Sequence, residues 1–330
     1  MSAGSEFVAA VANLAQVRDA SGQTSRVARH PGWHRMVDAV APGAVVVRLR
    51  PLRGGIATET TAVYLRGGPH EQLVVKRYRP NDPTAPLEWT TTASLEWERL
   101  KFVQRCSLPV PAPVACDLKG DWFGQPAVVM TGVPGRADVT PDRPDAWLSA
   151  IAHSLAALHA TLVDGAEGAL LRDTKVERWS PEGWAKPGAL LDRVKAAVAS
   201  RPLSLSPEAV LTHGDFHPGN LLWRGHRISG VVDWSATALD TRWLDLAQCR
   251  ADVAIVLGPA AADQLRDAYE AATDRSSPDL ALYDVMCAFE MANFYRVAIG
   301  AYREQGLAVT PRQAASRLRI YLQRALAAVE

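Results

Sequence analysis

The sequence predicts an α+β protein with two lobes: an N-lobe with a small antiparallel β-sheet and one helix, and a mainly helical C-lobe. Short β-branched runs separated by glycine turns fill the first third of the 330-residue chain. Helical periodicity dominates the remainder, apart from a β-rich stretch at 211–234. A Gly/Pro-containing segment at 131–136 separates the β-rich part of the sequence from the helical part. We therefore expect a helical N-terminal extension at 1–43, an N-lobe at 44–131 and a C-lobe at 132–330.

The charge balance argues against a nucleic-acid binder. Thirty-six basic and thirty-five acidic residues give a formal net charge of +1, whereas nucleic-acid binders usually carry a clear basic excess. No apolar run approaches the ~18 residues of a membrane helix, and the N-terminus lacks the basic start of a secretory signal. Four widely spaced cysteines without a CxxC pair are typical of reduced thiols. We expect a cytoplasmic protein with no membrane or nucleic-acid partner, and its oligomeric state stays open.

Three strands and two turns open the N-lobe. A β-branched run starts at Val45, is interrupted by Arg-Gly-Gly at 53–55 and resumes at 60–65. A Gly-Gly turn at 67–68 leads to the third run at 73–78. Strand, turn, strand, turn, strand is the pattern of an antiparallel meander.

The N-lobe continues with a loop, a helix and two further extended segments. Three prolines at 79–86 indicate a loop, and a helical pattern covers 87–105. A Val-Pro-Ala-Pro stretch at 110–113 ends this helical region, and apolar extended segments follow at 114–116 and 125–130. These two segments complete the predicted sheet.

Apolar periodicity predicts the helices of the C-lobe. Ile151, Leu155, Leu158 and Leu162 recur at i, i+4, i+7 and i+11, which places them on one helical stripe. A second long helix is expected at 282–302. We therefore expect a helical C-lobe that is interrupted by one β-rich segment.

The β-rich interruption contains the most informative motif of the chain. Residues 211–223 read LTHGDFHPGNLLW. Pro218 and Gly219 do not fit a regular helix, so this part of the motif is expected to be a loop that leads into a short strand at 221–223. A turn at 224–227 then returns the chain as a partner strand at 228–232.

This hairpin places three oxygen-bearing side chains together. Asn220 enters the hairpin and Asp233 leaves it, and paired antiparallel strands lie ~5 Å apart. Asp215 lies five residues before Asn220 and can reach the same space. One amide and two carboxylates are ligands suited to a hard cation such as Mg²⁺. One of the carboxylates would remain to orient a proton donor.

The motif also resembles a known family. His-Gly-Asp-Phe-His-Pro-Gly-Asn at 213–220, followed by an apolar run and Asp-Trp at 233–234, is similar to the aminoglycoside phosphotransferase and choline kinase family. That resemblance implies a protein-kinase-like fold and transfer of the γ-phosphoryl of a nucleotide to a small-molecule hydroxyl. It implies that Asp215 is the catalytic aspartate and that Asn220 and Asp233 are the metal ligands.

The resemblance extends in order from about residue 45 to about residue 254 and implies further roles. Lys76 would contact the phosphates, and Glu96 on the following helix would be its partner. The hinge-like segment from Met130 through Val133 to residue 135 would hold the adenine through backbone groups. Asp245, in an Asp-Leu-Ala motif, would support the catalytic loop. The glycine-rich loop of that family is only loosely matched in this sequence, by Gly54 and Gly55.

Two of these assignments have competitors. Glu98 and Glu88 are alternative partners for Lys76, and a solvated helical glutamate is the usual structural alternative. Lys76 itself could be a solvated lysine at a strand end, and Arg77 beside it is interpreted as an exposed basic residue. The apolar run that leads into Lys76 favours the phosphate-binding interpretation.

The histidines admit a different chemistry. His213 and His217 flank Asp215 in a His-x-Asp-x-His pattern that resembles a hydrolase metal cluster. Further histidines are scarce nearby, so we interpret His213 as a brace for the loop and His217 as a residue packed near nucleotide or substrate. His159 lies on the apolar stripe and is expected to be a satisfied core histidine.

The sequence thus predicts a small-molecule kinase that uses ATP or GTP and Mg²⁺. The acceptor would be a hydroxyl of an antibiotic, an amino sugar or another metabolite. The near-neutral chain has no dense acidic run of the kind a polycationic acceptor would favour. Two alternatives stay open: a non-catalytic nucleotide-binding regulator with a kinase fold, and a metal-dependent hydrolase that uses His213, Asp215 and His217.

Overall fold

The computed structural model describes residues 30–52, 58–78, 92–163, 188–200 and 209–330. Its internal contacts divide the chain into two compact units. The first comprises Met1–Phe102 and Pro111–Gly132, and the second comprises Val103–Val110 and Val133–Glu330.

A five-stranded antiparallel sheet forms the first unit. Its strands are β1 (Val45–Leu52), β2 (Thr58–Arg66), β3 (Gln72–Tyr78), β4 (Pro113–Asp117) and β5 (Ala127–Thr131). They lie in the order β1-β2-β3-β5-β4. The β1-β2-β3 part is the predicted meander, and β3 continues the sheet by pairing with β5, Lys76 opposite Val128.

Two helices lie in the described part of the first unit. Helix α1 (Gly32–Val40) buries Trp33, Met36 and Val37 in the same core as the sheet residues Val63, Leu73 and Val75. The sequence predicts this segment as part of an N-terminal extension, but the apolar face of the helix, which has about two and a half turns, packs into the core of the sheet. The second helix is α2 (Ala93–Phe102), which lies inside the predicted helical range 87–105.

Arg77 is not the exposed residue that the sequence analysis expected. Its guanidinium lies 5.4 Å from the ring centre of Trp33 and 5.3 Å from that of Phe123, and its side chain is buried. Nη2 donates to Glu59 Oε2 at 2.7 Å. The interpretation was wrong because Arg77 faces aromatic rings from distant parts of the chain, where cation–π contact stabilises a buried charge.

The second unit is mainly helical. Six helices are described there: α3 (Pro144–His159), α4 (Ala189–Ser200), α5 (Arg242–Val256), α6 (Pro259–Thr273), α7 (Leu280–Glu304) and α8 (Pro311–Val329). Five short strands accompany them: β6 (Arg136–Ala137), β7 (Val210–Thr212), β8 (Leu221–Arg224), β9 (Arg227–Val231) and β10 (Ala238–Asp240). None of the helices within the described ranges is long and apolar enough to cross a membrane.

The apolar stripe of α3 ends earlier than predicted. Ile151, Leu155 and Leu158 are fully buried, but Leu162 is 90% exposed because the helix stops at His159. Leu162 is flanked by Thr161 and Val163, β-branched residues that are less favourable in a helix. The periodicity of apolar residues alone does not show at which residue the helix ends.

Two small sheets position the informative motif. Strands β8 and β9 form the predicted hairpin, with Leu221 opposite Val231 and a turn at 225–226. Strand β7, which precedes the motif, pairs with β10, which follows the hairpin. The loop at 213–220 is therefore anchored by a strand at each of its ends.

Candidate active site

In the first unit, Lys76 forms a buried ion pair. Lys76 lies in β3, and its Nζ donates to Glu96 Oε1 at 2.7 Å. Tyr78, also in β3, donates through its hydroxyl to the other oxygen of the same carboxylate. Glu96 is 1% exposed and Lys76 7% exposed. A buried charge that is paired and hydrogen-bonded is held in one orientation, so this lysine is fixed rather than solvated.

The structure separates Glu96 from its competitors. Glu98 turns outward, and Lys101 donates to its carboxylate at 2.6 Å at the protein surface. Glu88 lies outside the described residues, as do Gly54 and Gly55 of the loosely matched glycine-rich loop. Lys76 and Glu96 are therefore brought together, while a phosphate-binding role for them and for the two glycines stays a prediction.

The hinge-like segment is divided between the units. Met130 is buried in β5, opposite Val74 of β3. The first unit ends at Gly132, whose N–H donates to the carbonyl of Gln72 at 3.0 Å. Val133 begins the next part of the second unit and packs on Gly230, where a Cβ would meet Val133 Cγ1 at 2.2 Å. Adenine contact by Met130 and Val133 stays a prediction.

In the second unit, the hairpin brings Asn220 and Asp233 side by side. The N–H of Val232 donates to the carbonyl of Asn220 at 3.0 Å, which extends the β8-β9 pairing by one step. Asp233 directly follows Val232. The two ends of the hairpin are thus adjacent although thirteen positions separate them, as the strand pattern predicted.

The Asp215 carboxylate is held by neighbouring amides. Asn220 Nδ2 donates to the carbonyl of Asp215 at 3.0 Å and lies 3.3 Å from Asp215 Oδ2. Gln248 Nε2, from helix α5, donates to the other oxygen, Oδ1, at 3.1 Å. The Asp215 side chain stays partly exposed. These contacts fix the plane of the carboxylate while leaving it accessible.

Asp233 adopts an unusual backbone conformation. Its φ is +68° and ψ +64°, in the left-handed region that is costly for residues with a Cβ. Ser235 Oγ donates to its Oδ1 at 3.0 Å, and Trp234 Nε1 donates to the carbonyl of Val231 at 2.9 Å. The turn after β9 thereby holds Asp233 beside Asn220 instead of letting the strand continue.

The Asp245 carboxylate fixes the backbone at the start of the 213–220 loop. This fully buried carboxylate in the first turn of α5 accepts the N–H of His213 at 2.7 Å and of Gly214 at 2.8 Å. Gly214 has φ +77°, and a Cβ on it would lie 2.2 Å from the carbonyl oxygen of Ala236. Only glycine fits this approach, so Asp245 and Gly214 together fix the chain just before Asp215.

His213 braces the loop. Its Nε2 lies 3.0 Å from the carbonyl of Val232, which can only accept, so Nε2 carries the proton. Its Nδ1 then accepts the N–H of Asp215 at 3.3 Å. Burial lowers the pKa of His213 despite the nearby carboxylates, which keeps the ring neutral, as both bonds require.

His159 is a satisfied core histidine, as the sequence analysis expected. Its Nε2 lies 3.3 Å from Asp245 Oδ2 and its Nδ1 2.7 Å from the Tyr269 hydroxyl. Its side chain is fully buried. It therefore supports the carboxylate that in turn supports the loop.

His217 lies between Asp215 and helix α7. Its Nε2 is 3.5 Å from Asp215 Oδ2, and its Nδ1 is 3.1 Å from the hydroxyl of Tyr302. Burial lowers the pKa of His217, but the charges of Asp215, Asp252 and Asp233 outweigh burial and raise it to about 9. Its sequence neighbours did not indicate the contact with Tyr302, which is 85 positions away.

Sequence reasoning missed Gln248 and Tyr302, and it counted Asp252 only as one of several C-lobe carboxylates. Asp245, Gln248 and Asp252 are spaced three and four residues apart, which places them on one face of α5. Ten of the other residues of this helix are buried, most of them apolar. Polar residues on one face of a helix whose other buried residues are mostly apolar are the sequence signal that could have identified Gln248 and Asp252.

Across the described part of the chain, no group of three or more His, Cys, Asp or Glu residues could hold a metal ion. The His-x-Asp-x-His hydrolase interpretation required such a group. His213 instead uses both ring nitrogens within the loop, at Val232 and Asp215. The donors suited to Mg²⁺ are oxygens: Asn220 uses its amide nitrogen toward Asp215, which leaves its amide oxygen for a cation beside Asp233.

Comparison with known proteins places this geometry in a family. A family model described as "Phosphotransferase enzyme family" matches residues 48–286, which is most of the chain and includes both Lys76 and the 213–220 loop. The chain belongs to the phosphotransferase enzyme family. The predicted family resemblance and the predicted class of enzyme are thereby confirmed.

Individual relatives are distant. A homoserine kinase from Methylocella silvestris is 31% identical over 143 residues, which are 39% of this chain and 42% of that protein. The chain therefore spans less than half the length of this curated relative.

Solved structures show the fold. The macrolide 2'-phosphotransferase MphH from Brachybacterium faecium is 20% identical, with a TM-score of 0.54 over 85% of this chain and 98% of that one. A mutant of aminoglycoside phosphotransferase APH(4)-Ia in complex with ADP and hygromycin B is 13% identical, with a TM-score of 0.60 over 89% and 97%. The protein-kinase-like fold predicted from the sequence is confirmed.

Proposed function

We propose that this member of the phosphotransferase family transfers the γ-phosphoryl group of ATP or GTP to a hydroxyl of a small molecule. The arrangement of Asp215, Asn220 and Asp233 carries the proposal. The hairpin places Asn220 and Asp233 side by side, and Asn220 is bonded to Asp215. A proton acceptor is thus held next to a pair of oxygen ligands, which is the combination that phosphoryl transfer requires.

Lys76 would bind the phosphates of the nucleotide. Its ammonium is fixed by Glu96 and carries its charge on a buried strand. A positive charge that is already fixed in position stabilises a neighbouring phosphate, because the charged group does not have to be reoriented when the phosphate binds. Glu96 would therefore act through Lys76. Gly54 and Gly55 would cover the phosphates, and Met130 and Val133 would contact the base.

Asn220 and Asp233 would hold Mg²⁺ through their side-chain oxygens. Bound there, the ion would supply neutralising charge to the phosphates. Asp233 is presented in a fixed left-handed conformation, and Asn220 is fixed by its amide bonds to Asp215. Both ligands are therefore oriented before a nucleotide arrives.

Asp215 would orient the acceptor hydroxyl and take its proton. As the acceptor oxygen forms its bond to the γ-phosphorus, the bond to the β-γ bridging oxygen breaks, and the hydroxyl proton moves to the carboxylate. The transition state of such transfers is loose, so position matters more than basicity. Gln248 and Asn220 supply that position by holding the two carboxylate oxygens.

The charged residues of the second unit do not select one class of small-molecule acceptor. Several acidic side chains of the second unit are engaged with partners: Asp284 with Arg250, Asp263 with Arg250 and Arg324, and Asp267 with Arg266. Carboxylates that are already paired do not create a strongly acidic surface for a polycation. Hydroxy amino acids, macrolides and aminoglycosides belong in the first acceptor panel because the relatives are a homoserine kinase, a macrolide phosphotransferase and an aminoglycoside phosphotransferase, and sugars extend the panel.

The test is Mg²⁺-dependent consumption of ATP and GTP with that panel, run on the wild type, Asp215→Ala and Asp233→Ala. We expect Asp215→Ala to lower kcat by about 1000-fold or more and to leave nucleotide affinity within about twofold. We expect Asp233→Ala to raise the Mg²⁺ concentration needed for nucleotide binding by about tenfold or more. Exposed Asp142→Ala, whose side chain is 76% exposed, is the control and should match the wild type.

Other outcomes would remove the proposal. Full activity of Asp215→Ala, or unchanged Mg·ATP affinity of Asp233→Ala, would contradict the assigned roles. Nucleotide binding without turnover on any acceptor would favour a regulator with this fold. A tightly copurifying transition metal would favour the hydrolase.

A further inference from the structure

A buried tyrosine from the last turn of helix α7 contacts the loop that carries Asp215. The Tyr302 hydroxyl donates to Asp252 Oδ1 at 2.5 Å and lies 3.1 Å from His217 Nδ1. Tyr302 is 3% exposed and Asp252 2% exposed. The two partners of the hydroxyl come from α5 and from the catalytic loop, so Tyr302 connects three separate segments of the second unit.

The chemistry of these groups fixes the direction of the bond between Tyr302 and Asp252. Asp252 can only accept, so the tyrosine proton points to its carboxylate. Burial, with the adjacent Asp252, raises the pKa of Tyr302 well above its usual range, which keeps the hydroxyl protonated. The tyrosine oxygen lies 3.1 Å from His217 Nδ1, and the N–H of Gly219 points to the same ring nitrogen at 3.1 Å. The imidazole ring is thereby anchored at its Nδ1 side.

The anchored ring determines the path of the loop toward Asp215. On its other side, His217 Nε2 lies 3.5 Å from Asp215 Oδ2. Its backbone carbonyl accepts the N–H of Asn220 at 2.9 Å. A change in the position of the ring therefore moves both the proposed proton acceptor and a proposed metal ligand.

The packing around Gly219 supports the same conclusion independently. A Cβ on Gly219 would meet His217 Cε1 at 2.8 Å and Tyr302 Cε1 at 3.2 Å. The ring centres of His217 and Tyr302 are 6.2 Å apart, and the ring planes are inclined at 65° to each other. The loop backbone thus lies directly against both rings, with no room for a side chain between them.

We propose that Tyr302 is a positioning residue for phosphoryl transfer: through His217 it fixes the loop that carries Asp215 and Asn220. Asp252 completes the arrangement by taking the tyrosine proton. The proposal rests on the proposed function, because it assigns Asp215 the role that Tyr302 supports. Tyr302 acts through another residue and is not itself a catalytic group.

The experiment compares Tyr302→Phe with Tyr321→Phe. Tyr321 is also a buried tyrosine of the second unit, and its hydroxyl donates to the buried Asp284 at 2.6 Å. Its partners belong to α5 and α7, and none of its hydrogen bonds reaches the 213–220 loop. Both variants therefore lose a buried hydroxyl bonded to an aspartate, but only Tyr302→Phe releases His217.

The kinetic readout is the division between kcat and KM. With the acceptor from the panel, or with water as acceptor where none is found, we expect Tyr302→Phe to lower kcat by about tenfold and to change the KM of the nucleotide by less than about twofold. Tyr321→Phe should change neither constant. Equal kcat values in the two variants, or a change confined to KM, would overturn the proposal.

A double-mutant cycle tests the route through His217. His217→Gln keeps a polar group near the Nε2 position but loses the Nδ1 partner of Tyr302. In this background, Tyr302→Phe should lower kcat by less than about twofold more, because the contact it removes is already gone. Additive losses would show that Tyr302 does not act through His217 and would overturn the proposal.

Amide hydrogen exchange separates this inference from the proposed function. Tyr302→Phe should speed exchange at the N–H groups of Gly219 and Asn220, whereas Tyr321→Phe should not. If the wild type transfers no phosphoryl group, the proposed function fails, and exchange at these two amides still decides whether Tyr302 fixes the loop. Unchanged exchange would contradict the inference in either case.

Discussion

The two units fix their predicted functional groups in different ways. In the first, Lys76 and Glu96 are themselves buried and meet directly, strand against helix. In the second, Asp215 is partly exposed on a loop, and buried residues behind it, such as Asp245 and His213, hold it in place. A group on regular structure needs one partner, whereas a group on a loop needs its backbone fixed as well.

This comparison predicts different consequences for substitutions in the two units. In the first unit, removing the partner of Lys76 should affect nucleotide binding. In the second, removing supports of the loop should affect kcat, because these residues hold the loop that carries the proposed proton acceptor. Three pairs of variants test this division, beginning with the largest expected effect.

Asp245→Asn should have the largest effect. The substitution places an amide where a buried carboxylate accepts the N–H groups of His213 and Gly214. We expect the free energy of unfolding to fall by about 3 kcal/mol and kcat to fall by about 100-fold. Urea denaturation and steady-state kinetics measure both quantities.

Asp117→Asn in the first unit is its matched control. Asp117 is also a buried aspartate that accepts two backbone N–H groups, from Gly120 at 2.8 Å and Trp122 at 2.8 Å. It should lose a similar amount of stability while kcat stays unchanged. A similar kcat loss in both variants would show that general destabilisation, not loop position, lowers activity.

Gly214→Ala should have an intermediate effect. The left-handed backbone and the close carbonyl of Ala236 both oppose a side chain there, so we expect a loss of about 2 kcal/mol in unfolding free energy together with a lower kcat. Gly225→Ala in the hairpin turn is the control, since its φ is +59° but nothing lies within 4 Å of a Cβ.

Gly225→Ala should lose only about 1 kcal/mol, from backbone conformation alone, and should keep kcat. Thermal unfolding of the two proteins gives the comparison. If Gly225→Ala were as unstable as Gly214→Ala, close packing against Ala236 would not be what fixes the loop.

Glu96→Gln should have the smallest effect and a different signature. The variant keeps a polar partner for Lys76 but loses the charge, so we expect the KM of the nucleotide to rise by about tenfold with kcat within about threefold. Glu98→Gln removes the exposed pair with Lys101 and should leave both constants unchanged. A fall in kcat without a rise in KM would contradict the division between the two units.

Local patterns predicted those parts of the site that secondary structure alone determines. The alternation of apolar runs and turns was enough to place Asn220 beside Asp233, because strand pairing makes hairpin ends adjacent. The resemblance to a known family selected Glu96 over Glu98, and the helix indeed turns Glu96 toward Lys76.

Contacts that depend on tertiary packing were not predictable in this way. Arg77 is buried because Trp33 and Phe123 converge on it from 44 positions before and 46 positions after it. Tyr302 meets His217 across 85 positions. A periodic pattern tells which face of a helix is polar, but not which loop that face will meet.

The backbone of Asp233 has a consequence for attempts to stabilise this protein. An aspartate at φ +68° costs about 1 kcal/mol that a glycine would not, so a backbone-guided search for stabilising substitutions would select glycine at this position. That choice would remove the carboxylate proposed to bind Mg²⁺. Thermostability engineering of this protein should therefore exempt position 233, where a gain in folding free energy and a loss of activity would come from the same substitution.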